Sequence, residues 1–278
     1  MGRLNPEGRL SSASTTRPPR SPRPGALDEA LCRETRLRLV HVIEDASVEG
    51  VSRTALRAAR GDRRLGQAGG RGVEIAILFG DPAARLLTES RTAAMVCIGS
   101  AAFRSPPPRR LGATAATLAE SASCPVAIIR GDHATRSLTG RIAVVIDGKP
   151  DGAALHQAMQ EARLGNAPVL AIGVRHRRVN GIDLEQPEQR LRIWMQRYPD
   201  VAVQLVAARG GLTRFLADTD QTVQLVVVGR ADGDPMQRFA GPIGEGLVET
   251  ASWSMLVVPT QILRESPAVS SVVGSKAK

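Results

Sequence analysis

The stretch RIAVVI, residues 141–146, decides the fold class, and Asp147-Gly148 ends it. After its first residue it is a continuous apolar run, which is typical of a strand buried on both faces. A helical pattern around 150–164 and a second apolar strand at 168–174 follow it. Strands that alternate with helices pair in parallel through right-handed crossovers. The stretch therefore predicts an α/β protein with a mainly parallel sheet.

The same alternation continues to residue 258. A helix is predicted at 187–198 and another from about 211, with strands at 201–207, 224–228 and 254–258. The first of these helices carries large side chains at i, i+3, i+4 and i+7, which indicates a buried stripe. Its members are Leu191, Trp194, Met195 and Tyr198. A last helix is marked by Ile243, Leu247, Val248 and Ala251.

Most of the chain repeats itself at an offset of 130 residues. The landmarks that keep this spacing are Val73 and Val203, Gly80 and Gly210, Leu86 and Leu216, Val96 and Val226, and Gly99 and Gly229. The final apolar runs, 125–129 and 255–259, keep it too. A repeat of this length is two copies of a domain rather than a solenoid unit. We therefore expect a first domain at 26–131 and a second at 140–260, each with its own sheet.

Composition excludes several classes of protein. Of the 278 residues 42% are hydrophobic, and aromatic residues make up only 3%, too few for a platform on which nucleic-acid bases stack. Three cysteines exclude a disulfide scaffold, and no apolar run is long enough to cross a membrane. The net charge of +10 comes almost wholly from Arg residues that are scattered along the chain. Scattered Arg favours a bias of GC-rich coding sequence as the explanation, and nucleic-acid binding through these residues is the alternative.

At this point the motifs resemble those of a tandem universal stress protein. The second copy has a first strand ending in Asp147-Gly148. The first copy has the Gly80-Asp81-Pro82 turn, a strand ending in Gly99-Ser100 and a closing Cys124-Pro125-Val126 strand, and these motifs occupy the places in the repeat that are typical of the family. The resemblance covers about 26–130 and 141–259. It implies two five-stranded, doubly wound domains and a cytoplasmic protein that either binds ATP or signals without it.

The ATP-binding subgroup of that family carries Gly-x-x-Gly, nine residues, then Gly and Ser or Thr. Glycine lets backbone N–H groups approach phosphate, and a helix amino end holds anions. The resemblance implies the candidate nucleotide-binding residues Gly99, Ala102, Gly112 and Ala113 in the first domain, and Asp147 and Gly229 in the second. The second domain departs from the pattern at Asp232, Pro242 and Ile243. Neither domain has the full set, so bound ATP is possible but doubtful.

The first strand of the first domain is expected to be missing or degraded. At the 130 offset, residues 141–148 fall on 11–18, which read SSASTTRP. Residues 1–25 are rich in Arg, Pro and Ser and predict a disordered extension, as the tail 261–278 predicts a flexible end. One hypothesis is that residues up to about Ala26 are read out of frame, because a one-base shift of an apolar strand ending in Asp gives this sequence. The alternative is a genuine extension in which 11–16 serve as a poor strand.

The sequence offers no catalytic set. It contains no Ser/His/Asp elbow, no Walker loop and no Gly-x-Gly-x-x-Gly after a strand. His41, in a strand of the first domain, predicts a packed or hydrogen-bonded side chain rather than a metal ligand, and His156 has no partner visible in the sequence. Cys97 and Cys124 predict inert thiols. We therefore expect a stress-response regulatory or interaction module with degenerate nucleotide loops, at most a weak ATPase, whose protein partners are unknown. The alternative is a working ATP-binding protein.

The final strands of the two domains carry the prediction about assembly. The apolar segments 126–129 and 256–258 would each lie at a sheet edge, and an exposed apolar edge strand promotes aggregation. We expect them to pair with each other, antiparallel, across a pseudo-two-fold axis, so that one chain mimics a dimer. The alternative is that each pairs with another chain.

Overall fold

A computed structural model describes ten stretches of the chain. They are residues 9–15, 36–43, 73–99, 112–129, 140–146, 152–174, 187–208, 212–219, 222–230 and 253–260. The strands are β1 (Arg9–Thr15), β2 (Arg36–Ile43), β3 (Val73–Phe79), β4 (Ala93–Gly99), β5 (Val126–Ile129), β6 (Arg141–Ile146), β7 (Val169–Val174), β8 (Val203–Ala208), β9 (Val223–Gly229) and β10 (Ser254–Val258). The helices are α1 (Pro82–Ser90), α2 (Ala113–Ser121), α3 (Gly152–Gly165), α4 (Pro187–Arg197) and α5 (Leu212–Asp218).

All ten strands form one sheet in the order β3-β2-β1-β4-β5-β10-β9-β6-β7-β8. We call the part with β1–β5 the first half and the part with β6–β10 the second half. Within each half every pairing is parallel, and both halves place their strands in the same order, third, second, first, fourth, fifth. The predicted α/β fold with a mainly parallel, doubly wound sheet is confirmed.

The halves meet where β5 pairs antiparallel with β10, in the arrangement expected for the two final strands. Met255 lies opposite Ile128, and Val257 lies opposite Val126. Since all other pairings are parallel, the strands of one half run opposite to those of the other. The carboxyl edge of the second half therefore lies on the same side of the sheet as the amino edge of the first.

Of the two alternatives for the first strand, the one in which residues 11–16 serve as a strand is confirmed, and the expectations of a missing strand and of disorder at 9–15 are wrong. Arg9–Thr15 forms β1, which pairs in parallel with β2 on one side and with β4 on the other. A ladder is made by backbone N–H and C=O groups, which polar residues supply as well as apolar ones, so composition was a poor guide here. The rest of the predicted extension and the tail 261–278 lie outside the described residues.

The sheet register also corrects the offset at the first strand. Leu10 lies beside Met95, and Ile142 lies beside Leu225, so here the halves are 132 residues apart (142 − 10) rather than 130. Both strands carry the same register shift just before this position. Counting forward from it, Thr15 takes in the first half the place that Asp147 takes in the second.

Two buried hydrophobic clusters cover the two faces of the sheet. Alternate residues of β10 belong to different clusters, Met255 and Val257 to one and Leu256 and Val258 to the other, as the pleat requires. Helices α1, α2 and α5 contribute to the first cluster, and α3 and α4 to the second. Each cluster contains residues of both halves, so the apolar core is continuous across the β5–β10 pair.

Local signals behave as expected where α1 begins. Gly80 has a φ of +112°, a conformation that glycine adopts without strain. The Asp81 side chain accepts a hydrogen bond of 2.7 Å from the Ala84 N–H, and Pro82 opens the helix. The predicted turn, cap and first helical residue are confirmed.

The buried stripe predicted for α4 is narrower than expected. Leu191 and Tyr198 are buried, and Trp194 is half-buried, but Met195 is 42% exposed. The prediction for Met195 is therefore wrong, because α4 contacts α3 through Trp194 and Tyr198, which both lie against His156, and Met195 lies outside that row. The predicted last helix around 243–251 lies outside the described residues.

Candidate functional site

In each half, the strand order reverses between the first strand and the fourth. In open α/β sheets ligands bind at the carboxyl ends of the strands at such a switch point. The switch points lie between β1 and β4 in the first half and between β6 and β9 in the second. Gly99 ends β4 and Gly229 ends β9, so both candidates lie at the edges where a ligand is expected.

The first half supplies a helix amino end beside its switch point. Gly112 is the N-cap residue of α2 and Ala113 is its first residue. Gly112 makes no side-chain capping bond, and its carbonyl accepts from the Ala116 N–H at 3.0 Å. The N–H groups of the first turn have no intrahelical acceptor, and with the helix dipole they favour an anion.

The candidate residues of the first half are only partly described. Because α2 leads from β4 back to the parallel strand β5, its amino end lies at the same carboxyl edge as Gly99. The segment 100–111 between them, with Ala102, lies outside the described residues. At the end of β1 the first half has Thr15 in the position that corresponds to Asp147.

The second half places Gly229 at the end of β9 and follows it with Arg230. Its neighbour β6 ends at Ile146, one residue before Asp147, which itself lies outside the described residues. The side chain of Arg230 is directed to the other half. Its Nη2 donates to the Ala122 carbonyl, the C-cap of α2, at 2.5 Å.

Sequence reasoning missed the Arg230 contact. The two partners lie 108 residues apart in the chain, and no local pattern joins them. Burial is the main cause that lowers the pKa of Arg230, while the nearby Cys124 raises it. Burial also raises the pKa of the Cys124 thiol to about 12, so this thiol stays protonated at neutral pH, as expected of an inert cysteine.

His156 and Cys97, which the sequence analysis considered as functional residues, pack against other side chains or are buried. The Tyr198 hydroxyl lies 3.2 Å from Nδ1 of His156, whose ring also lies 5.1 Å from that of Trp194. Cys97 is buried in β4, as predicted. Across the ten described stretches, no three His, Cys, Asp or Glu side chains come together as a metal site would require. No helix in those stretches is long and apolar enough to cross a membrane.

Comparison with known proteins identifies the family. The profile of the universal stress protein family matches residues 25–130. The universal stress protein Rv2624c of Mycobacterium tuberculosis is 36% identical over 241 residues, which cover 84% of this chain and 89% of that protein. Rv3134c of the same species is 39% identical over 236 residues, or 80% of this chain and 86% of the relative.

Solved structures show the same fold. A universal stress protein from Archaeoglobus fulgidus superimposes with a TM-score of 0.63 at 16% identity, over 90% of this chain and 96% of that one. A putative universal stress protein from Pseudomonas aeruginosa gives a TM-score of 0.61 at 15% identity, over 90% and 92% of the two chains. With relatives of this identity spanning most of both sequences, the chain belongs to the universal stress protein family.

Proposed function

We propose that this chain is a tandem universal stress protein that acts as a regulatory or interaction module, with nucleotide loops too degenerate for strong ATP binding. The tandem arrangement is supported by the strand order, which is the same in β1–β5 and in β6–β10. The family resemblance implies a cytoplasmic protein with protein partners. No catalytic set is assigned, so we do not propose an enzyme.

The observation that carries the proposal is the division of the nucleotide motif between two sites. The first half has Gly99 and Gly112 at its switch point but Thr15 where the second half has Asp147. In the family that Asp meets adenine. The first half also has Ala113 where a hydroxyl would meet phosphate. The second half has the Asp, but Asp232 and Pro242 replace glycines of its loop, and a second carboxylate beside phosphate opposes binding.

One observation favours the alternative, an ATP-binding first half. The N-cap residue of α2 is Gly112, so within the described residues no N-cap side chain competes with a phosphate for the first-turn N–H groups. Gly112 itself adds no side chain that would keep a ligand at a distance. This alternative requires that backbone groups alone supply most of the affinity.

Restoring the family's residues in the first half tests whether its nucleotide loop is degenerate. The triple variant Thr15→Asp, Ala102→Gly, Ala113→Ser returns the family's residues to the first half. We expect MgATP to raise the melting temperature of this variant and to leave the unmodified chain unchanged at millimolar concentration. Thr117→Ser, on the same helix but about one turn beyond the loop pattern, is the control and should behave as the unmodified chain. A shift of the same size in the unmodified chain and the triple variant would contradict degenerate loops.

A further inference from the structure

The antiparallel β5–β10 pair brings two functionally different edges together. Since β9 is parallel to β10, the carboxyl end of β9 lies on the side of the sheet where β5 begins. The residues just before β5 are the end of α2 and the turn 122–125. The ligand edge expected for the second half therefore lies against the end of a first-half helix.

Arg230 makes the contact across this boundary. Its Nη2 donates to the Ala122 carbonyl at 2.5 Å, at the carboxyl end of α2, where the helix dipole concentrates negative charge. Ala122 N–H already donates to Leu118, so the Ala122 carbonyl lies at the end of the helical ladder. A charged donor on such a carbonyl forms a stronger hydrogen bond than a neutral one.

The surroundings of this contact are partly dry. Burial lowers the pKa of Arg230, and the buried Cys124 thiol lies near the guanidinium. Within the described part of the chain, Nε of Arg230 is buried and meets no hydrogen-bond acceptor. Low local polarity strengthens the bond to Ala122, since few water molecules compete for the guanidinium.

We propose that Arg230 ties the two halves together. Its side chain joins the carboxyl edge of the second half to the end of α2, so that the two halves unfold as one cooperative unit. The β5–β10 ladder covers only three residue pairs, from Met255–Ile128 to Val257–Val126. Arg230 follows β9, one strand away from that ladder, at a spacing of about 4.8 Å. A contact displaced from the ladder resists rocking of the halves about it, which the ladder alone resists poorly.

Arg230 has a mechanical role in this arrangement. The tied helix α2 begins at Ala113, after its N-cap Gly112, so its amino end lies at the carboxyl edge of the first half and its other end at the ligand edge expected for the second. A nine-residue helix moves as a rigid element, so a displacement at one end is felt at the other. Arg230 therefore holds the relative position of the two candidate edges.

The experiment compares Arg230→Met and Arg230→Lys with Arg214→Met. The lysine keeps a charged donor for Ala122, and Arg214 is an exposed arginine of the same half, paired with Asp218 on α5. Amide hydrogen exchange is measured on the full chain in β5, in β10 and at the end of α2. Both tryptophans, Trp194 and Trp253, belong to the second half, so their fluorescence in urea reports that half, whereas far-UV circular dichroism reports both.

We expect Arg230→Met to accelerate exchange at these three places about tenfold or more, the effect of losing a charged hydrogen bond. The fluorescence and dichroism transitions should separate, while Arg230→Lys restores most of the protection and Arg214→Met matches the unmodified chain. Unchanged exchange in Arg230→Met, or equal loss in the methionine and lysine variants with coincident transitions, overturns the proposal. If Arg230→Met does not fold, the amide exchange rates of Arg230→Lys are compared with those of the unmodified chain. Exchange at least a hundredfold faster in the lysine variant would refute a tie through a charged donor.

Discussion

Truncation of Ile128 to alanine tests the apolar junction of the two halves. Ile128 is 1% exposed, lies opposite Met255 in the β5–β10 pair and belongs to the cluster on the first face of the sheet. Deleting the branched side chain removes its buried area and leaves a cavity, which costs about 2–5 kcal/mol. A site packed from both halves has little room to collapse, so we expect a value in the upper part of that range.

The matched control is Ile193→Ala, on the outer face of α4. Ile193 is 66% exposed, so its truncation should change the free energy of unfolding by no more than about 0.5 kcal/mol. Urea unfolding of both variants gives the two values directly. Equal losses at the two positions would refute the buried junction.

Ile128→Asp separates pairing within the chain from pairing between chains. A carboxylate placed in this dry junction should lower stability further and should loosen the contact between the halves. Sedimentation then gives the state of assembly. If the variant keeps its stability and only changes from dimer to monomer, the final strands pair between chains and the internal pseudo-dimer is wrong.

Three further changes test local features of the second half and of α1. In Gly140→Ala the added Cβ would lie 2.8 Å from Cβ and 3.0 Å from the backbone N of Gln224, so urea unfolding should show a loss of about 1–3 kcal/mol. Gly165→Ala is the control, because a Cβ there would meet no atom within 4 Å, and it should lose no stability. Equal losses in the two variants would contradict this packing. Burial lowers the pKa of His156 below 6.5, so its contribution to stability is full above about pH 6.5 and falls as pH drops toward the lowered pKa; urea unfolding at pH 7.5 and 5.5 should show the loss, and His156→Gln should reduce it. Asp81→Ala removes the cap of α1 and should cost about 1 kcal/mol by the same method, whereas Asp81→Asn should cost less; no loss in either would contradict a capping role.

The strands that the sequence predicted well are those whose burial requires an uninterrupted run of apolar residues. The strand 141–146 is apolar because both of its faces are covered, and the final strands are apolar because their side chains are buried in the clusters on the two faces of the sheet. Gly80 and Asp81 signal the start of α1 through backbone conformation and capping, which are local properties. These features need no knowledge of distant residues.

The failures have a different physical origin. β1 was predicted only as an alternative, a poor strand at 11–16, because its polar residues carry no sign of burial, while its pairing comes from the backbone and from neighbours more than 20 residues away. The idea that residues up to about Ala26 are read out of frame stays a prediction, and reading the gene in the other frames tests it. The Arg230–Ala122 contact depends on how the two halves meet, so the sequence could not predict it.

Equilibrium dialysis of the unmodified chain against MgATP tests the central claim most directly. With degenerate loops in both halves, we expect no saturable binding up to millimolar ATP and no change in the melting temperature. A working site would behave differently, because a ligand at about 100 times its dissociation constant stabilises the folded state by about 2.7 kcal/mol. Saturable binding of one ATP per chain, abolished by Gly112→Pro and kept in Gly165→Ala, would contradict the account and assign a functional site to the first half.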